Sequence, residues 1–301
     1  MSTPNRAAIL NKTHKVLKRS YKCNSVHGEQ PLLESLLFAC CLENARHDVA
    51  QETIAKLRSA FFDWNEIRVS TVKELSEVMH PLPDPSAAAA RLTGILQCVF
   101  ESNYSFDLEP LKKQNIGQAV KRLQKLQGAS PFGVAYATQS ALGGHSIPVD
   151  KGALGALYVL GVISEAEARE SVVPGMERAI PKSKGQEFGA LLHELGADFF
   201  ANPFSPTLRE LLLSIASDAK ERFPKRTAKK PPAVTAPVPS TGKAAAADKK
   251  KEKEAAATKK HAVKAPEKRA ARVPKAAAHP KKKPSGAKKT ALKALAKRKP
   301  R

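Results

Sequence analysis

Side chains able to do chemistry in this 301-residue chain fall into two groups. One is a dense run of amines: residues 225–301 carry 26 Lys or Arg against 4 Asp or Glu, whereas residues 1–224 carry 25 against 24. Amines at that density neutralise phosphates and release condensed counterions, giving a sequence-independent, salt-dependent attraction to nucleic acid. Lys281, Lys282, Lys283, Lys288 and Lys289 are candidate phosphate contacts within the run. The other group is sparse. Cys23, Cys40, Cys41 and Cys98 have no metal-knuckle spacing, and adjacent Cys40 and Cys41 point different ways from a helix, so buried free thiols are expected. His193-Glu194 has no second ligand at zinc spacing, and His193 reads as structural or exposed. Asp150 stands just before Lys151-Gly152-Ala153, where a carboxylate caps the open amides of a helix start.

The elements that must position these groups follow from composition and spacing. The tail, with 21 Ala, 9 Pro and no Cys, Met, Trp, Tyr or Phe, cannot bury enough apolar surface to offset chain ordering and is expected to be disordered in isolation. Proline prevents one long helix there, but AKKTALKALAKRK can fold into a short basic helix on DNA. The near-neutral body is long enough for one large domain or two small lobes. No run approaches 18 apolar residues, and the basic start is followed by no long apolar stretch, so the chain reads as cytoplasmic and nucleoid- or chromatin-associated, without bilayer insertion.

Within the body, leucines recur at helical spacing between glycine, proline and capping signals. PLLESLLFACCLEN is the first clear helix; Asp48 with Gln51, Thr71 with Glu74, Ser164 with Glu167 and Ser183 with Gln186 are capping starts. Asp84-Pro85 opens an alanine-rich helix, Gly161 ends another, and Ser205-Pro206 opens TLRELLLSIASDAKERF. The expectation is an all-α protein of about ten helices, with an N-terminal extension at 1–29, a helical domain at 30–224, and a tail at 225–301.

Residues 115–142 read as two short helices joined by a Gly-containing turn, which also describes a generic αα-hairpin. The string Leu126-Gln127-Gly128-Ala129-Ser130-Pro131-Phe132-Gly133, followed after a loop by Ile147-Pro148-Val149-Asp150 and a further helix, resembles the helix-hairpin-helix and Gly/Pro-Asp module of endonuclease III-like DNA glycosylases. Leu126 and Gly128 match that family's hairpin, Ser130 stands where its second glycine is expected, and Val149-Asp150 match its acidic loop. LLFACCLENARHDVAQ is similar to the family's early helix and loop, and the resemblance covers about residues 30–200. It implies two helical lobes with double-stranded DNA, damaged or not, across the cleft between them.

In such a hairpin, turn amides and a helix start meet backbone phosphates without a large net charge. The residues it implicates are Gly128, Ala129, Ser130, Phe132 and Gly133, with Lys121, Arg122 and Lys125 beside them; an ordinary solvated helix face is the alternative for the three cations. Asp150 matches the family's catalytic aspartate, which steadies positive character on the sugar, a role compatible with capping a helix. Phe132 stands where the bifunctional members carry the Schiff-base lysine, and Lys151 beside Asp150 need not place its amine at the same carbon, so lyase chemistry is not expected. Near Ala45, where some members carry a glutamine that fills the hole left by a flipped base, stand Asn44, Arg46 and His47; a helix-end cap or solvated loop is the alternative for each. Many members hold a four-iron cluster on four cysteines after the module; no cysteine follows Cys98, so no iron–sulfur cluster or other cofactor is expected.

The tail is similar in composition to linker-histone tails, and RNA or an anionic membrane surface is its alternative partner. Three functions follow: a DNA-binding protein related to base-excision-repair DNA glycosylases without lyase activity, an active monofunctional DNA glycosylase using Asp150, or a non-enzymatic architectural nucleic-acid-binding protein acting mainly through its tail.

Overall fold

Helices account for most of residues 6–23 and 30–225, which are the residues described by the computed structural model, and no strand occurs among them. The chain enters through α1 (Arg6–Ser20). It then builds one lobe from α2 (Leu32–Leu42), α3 (His47–Ala60), α4 (Trp64–Val69), α5 (Val72–Val78), α6 (Pro85–Asn103), a 3-10 turn at Glu109–Lys113, α7 (Ile116–Leu123) and α8 (Pro131–Ser140). The second lobe gathers α9 (Lys151–Val159), α10 (Glu165–Arg169), α11 (Met176–Ala179), α12 (Lys182–Ala201), α13 (Pro206–Ile215) and a 3-10 turn at Ser217–Glu221 around the returning α1.

Each lobe has its own apolar core. In the first, α2 is the central helix: ten of its eleven residues are buried, as a helix apolar on every side must be. Cys40 and Cys41 lie in this core, where burial pushes the Cys41 thiol up to about 12 and the Cys40 thiol higher still. Cys23, in contrast, is exposed, because it follows the end of α1 rather than lying on a packed face. In the second core, Leu10 and Leu17 of α1 pack with Leu157, Phe188, Leu192 and Leu212. Much of the segment set apart in sequence as 1–29 is therefore a structural part of the second lobe, because its leucines find their burial there.

The capping signals explain most helix starts. Thr71 and Glu74 form a reciprocal capping box, as do Ser164 and Glu167, while Asp84 accepts from the Ala87 amide ahead of Pro85. Three boundaries differ from the sequence expectation. α3 starts at His47, ahead of Asp48, because the Glu194 carboxylate from the second lobe accepts the His47 amide. α12 starts at Lys182 behind Pro181 rather than at a Ser183 cap. The last long segment breaks after Ile215 into a 3-10 turn, and among the described residues thirteen α-helices stand where about ten were expected, the additions being α1, α4 and α11.

The tightest contact in the second lobe is backbone against backbone. A Cβ on Gly152 of α9 would sit 2.0 Å from the Gly196 carbonyl oxygen of α12, and a Cβ on Gly196 would sit 2.6 Å from the Ala153 amide nitrogen. Helix propensity alone makes Gly-to-Ala stabilising by about 1 kcal/mol. Gly152→Ala should instead destabilise the fold by about 1–3 kcal/mol, seen as a lower urea unfolding midpoint, because it overpacks this crossing; a stabilised variant would show that the helices do not need this approach.

Candidate functional site

The hairpin is built locally. Ser130 caps α8, its hydroxyl accepting from the Gly133 amide at 3.0 Å and donating to the Glu43 carboxylate at 2.7 Å. Gly128 has φ +92°, and a Cβ there would lie 2.4 Å from the Arg91 carbonyl oxygen, so the turn needs glycine both for its backbone angle and for its seat on α6. The Ala129 amide is bonded to the Leu126 carbonyl, and Pro131 has no amide. The amides of Gly128, Ser130 and Phe132 meet no acceptor among the described residues, and Gly128, Ala129 and Ser130 are only half-buried. These are the amides such a turn offers to an anion. Lys121, Arg122 and Lys125 stand exposed alongside, with no ion pair among the described residues. Gly133 is buried against Leu36 of α2, and its amide is consumed by Ser130.

Between the lobes the arrangement is closed. The Asp150 side chain is 0% exposed. One oxygen accepts from the Ala153 amide at 2.8 Å and so caps α9; the other lies 3.0 Å from His193 Nδ1. His193 Nε2 is 2.8 Å from the Ala45 carbonyl oxygen, in the loop between α2 and α3. A carbonyl can only accept, so Nε2 carries a proton; an ionised Asp150 beside Nδ1 then favours a second proton there. Burial opposes charge on His193, but the Asp150 carboxylate, the Ala45 carbonyl and Glu194 together hold its pKa above the ordinary value. The Asp150 contact is an ion pair at close range rather than a well-aligned hydrogen bond.

Successive side chains of α12 continue the closure. Glu194 accepts the His47 amide at 3.3 Å, and Asp198 pairs with Arg46 at 2.9 Å while accepting the Tyr21 hydroxyl at 2.9 Å. Burial lowers the pKa of His47 despite Glu194 nearby. Phe132 is 3% exposed, its ring 5.5 Å from that of His193 and 6.3 Å from that of Tyr136. Beside these rings lies a small apolar pocket also lined by Leu42, His47 and Gln139; burial there pushes the Tyr136 phenol up to about 12.

Of the residues singled out in sequence, Gly128, Ala129 and Ser130 share the hairpin turn, whereas Asp150 and Phe132 come together in the seam. Asn44 ends α2 in the left-handed conformation at φ +64°, a cap position that Asn tolerates. Arg46 is half-exposed but tied to Asp198. Lys151 is exposed at the start of α9. Lys281, Lys282, Lys283, Lys288 and Lys289 lie outside the described residues. Sequence reading noted His193 without its partners and passed over Asp198 and Tyr21. The available signal was the spacing of His193, Glu194, Gly196 and Asp198 along one helix, but nothing local says what that helix faces. No group of three or more His, Cys, Asp or Glu among the described residues is placed to hold a metal ion. The segment after α12 packs Leu208, Leu212 and Ile215 into the second core and no cysteine follows Cys98, so these residues do not fit an iron–sulfur centre.

No protein-family model matches the chain, and no curated protein sequence does. Among solved structures, it is similar to an endonuclease III trapped in a covalent intermediate with DNA, at 15% identity and a TM-score of 0.53, over 74% of this chain and 100% of that one. A non-covalent endonuclease III–DNA complex aligns at 16% identity and 0.49 over 74% and 98%, and a thermostable thymine-DNA glycosylase at 14% and 0.48 over 72% and 97%. The likeness to the trapped endonuclease III gives the chain an endonuclease III-like, two-lobed, all-helical fold.

The buried pair makes stability depend on pH. Folding raises the His193 pKa above its ordinary 6.5, so its contribution is complete below about pH 6.5 and is lost as pH rises through the raised value. His47, with a lowered pKa, acts in the opposite sense as pH falls. Asp150→Asn should cost about 3–5 kcal/mol near neutral pH and abolish the decline above pH 6.5 in urea unfolding; an unchanged pH profile would place the charge elsewhere.

Proposed function

We propose that this chain is a duplex-DNA-binding protein of glycosylase-like fold that has no lyase activity and does not excise bases. The observation that carries this reading is the state of the seam. Asp150, which the family resemblance assigns to the sugar, is fully enclosed and engaged by both oxygens, one in the cap of α9 and one in the ion pair with His193. A carboxylate so held cannot touch a substrate without breaking the pair and the cap. Phe132, at the position of the family's lysine, supplies no amine and packs against His193.

What remains is binding. Three unpaired amides at the hairpin, with Lys121, Arg122 and Lys125 beside them, suit two or more successive phosphates of one strand. The +22 tail adds attraction without selectivity, and each of its phosphate contacts steepens the salt dependence.

The intact chain should bind an undamaged duplex and release no base from a panel of damaged duplexes. It should form no borohydride-trapped adduct. Release that disappears in Asp150→Asn would overturn this reading in favour of a monofunctional glycosylase. Truncation after Lys225 should sharply lower both affinity and salt slope and leave weaker binding that Gly128→Val reduces further; complete loss on truncation would remove the hairpin from the interface.

A further inference from the structure

The charge of the body is no more evenly placed than that of the whole chain. Residues 6–22 carry six Lys or Arg and no acidic side chain, whereas residues 23–224 carry 19 basic against 24 acidic. The remainder of the body is therefore net negative, and its only net positive segment by this division is α1 with the two residues after it, which carry six cations. Half of them are consumed in docking: Arg6 pairs with Glu167, Lys12 donates to the Ile215 carbonyl, and Lys18 pairs with Glu187. Lys15, Arg19 and Lys22 are exposed and make no ion pair among the described residues. Lys15 and Arg19 are one helical turn apart, on the face opposite Leu10, Thr13 and Leu17.

A cationic helix face by itself is ordinarily a solvated surface. Two further observations give this one a direction. First, dipole compensation explains cations in the last turn, such as Lys18 and Arg19, but not Lys15 further back along the helix. Second, the strip is joined by direct contacts to the seam. Tyr21, between Arg19 and Lys22, donates to Asp198; Asp198 pairs with Arg46; and Arg46 follows Ala45, whose carbonyl holds His193 against Phe132 in the second hairpin helix. The end of α1 is thus joined through Asp198 to Arg46 in the loop between α2 and α3.

We infer that Lys15, Arg19 and Lys22, continued by Arg46, form a second phosphate-contacting strip, so that duplex DNA is held by the second lobe as well as by the hairpin. The partner is the backbone of double-stranded DNA: the one aromatic side chain along the strip, Tyr21, is half-buried with its hydroxyl tied to Asp198, and the exposed groups are cations, which suit phosphates rather than unstacked bases. This inference rests on the duplex-binding reading given above.

The test uses the full chain and an undamaged 20-base-pair duplex, measuring affinity across a salt series. Lys15→Gln, Arg19→Gln and Lys22→Gln combined are compared with Lys73→Gln, Lys113→Gln and Lys184→Gln, three exposed amines on other elements that change net charge equally. The strip variant should lower the slope of log affinity against log salt by about 3, near one unit per lost contact, and the control should change it by less than 1. Equal effects in the two variants would overturn the strip. A weakened Gly128→Val alongside equal effects would leave the hairpin reading intact while removing this one. No binding by the intact chain would remove both.

Discussion

The structure depends on how closely α9 and α12 approach. Gly152 and Gly196 remove side chains from the crossing, and only at that separation does His193 reach Asp150 at the first turn of α9. The same helix then presents Glu194 and Asp198 to the loop between α2 and α3. The ion pair and the lobe-to-lobe contacts are consequences of one backbone contact, to which the local Asp150 cap of α9 is added. A larger side chain at either glycine would act on all of them together, since neighbours in one network do not contribute additively.

The same closure divides the labour of the molecule. A buried imidazolium and carboxylate are worth having only when both are paired, because an isolated buried charge carries a heavy desolvation penalty. Here they stabilise the fold and leave the acidic group without access. In the proposed function, affinity resides elsewhere: in backbone amides at the hairpin, in cations outside the seam, and in the tail. The near-neutral body is consistent with this, since amides and a few aimed cations bind phosphate without a broad positive field.

Much of this was legible in the residues. The capping boxes at Thr71 and Ser164, the Asp84-Pro85 start and the Ser130 cap are local chemistry, decided within four residues, and the structure forms each of them. Gly128 was legible as a turn glycine, although its contact with Arg91 of α6 was not. The expected starts at Asp48 and Ser183 failed for a shared reason: a helix end is satisfied by whatever reaches it. At α3 that is Glu194, 147 positions away in sequence. α1 was invisible as part of the body because its partners, on α11, α12 and α13, follow more than 150 residues later.

Sequence by itself determined the all-helical class, the order of the hairpin and the Asp150 cap, the lack of a cysteine set for a cluster, and the concentration of charge in the last 77 residues. These are matters of periodicity, ligand count and composition, which do not require knowing what faces what. Only the tertiary structure decided what Asp150 does with its second oxygen, where Phe132 places its ring, and which lobe α1 belongs to. Each depends on groups distant along the chain being brought within about 3–6 Å by close packing, and a single sequence carries no direct record of that distance.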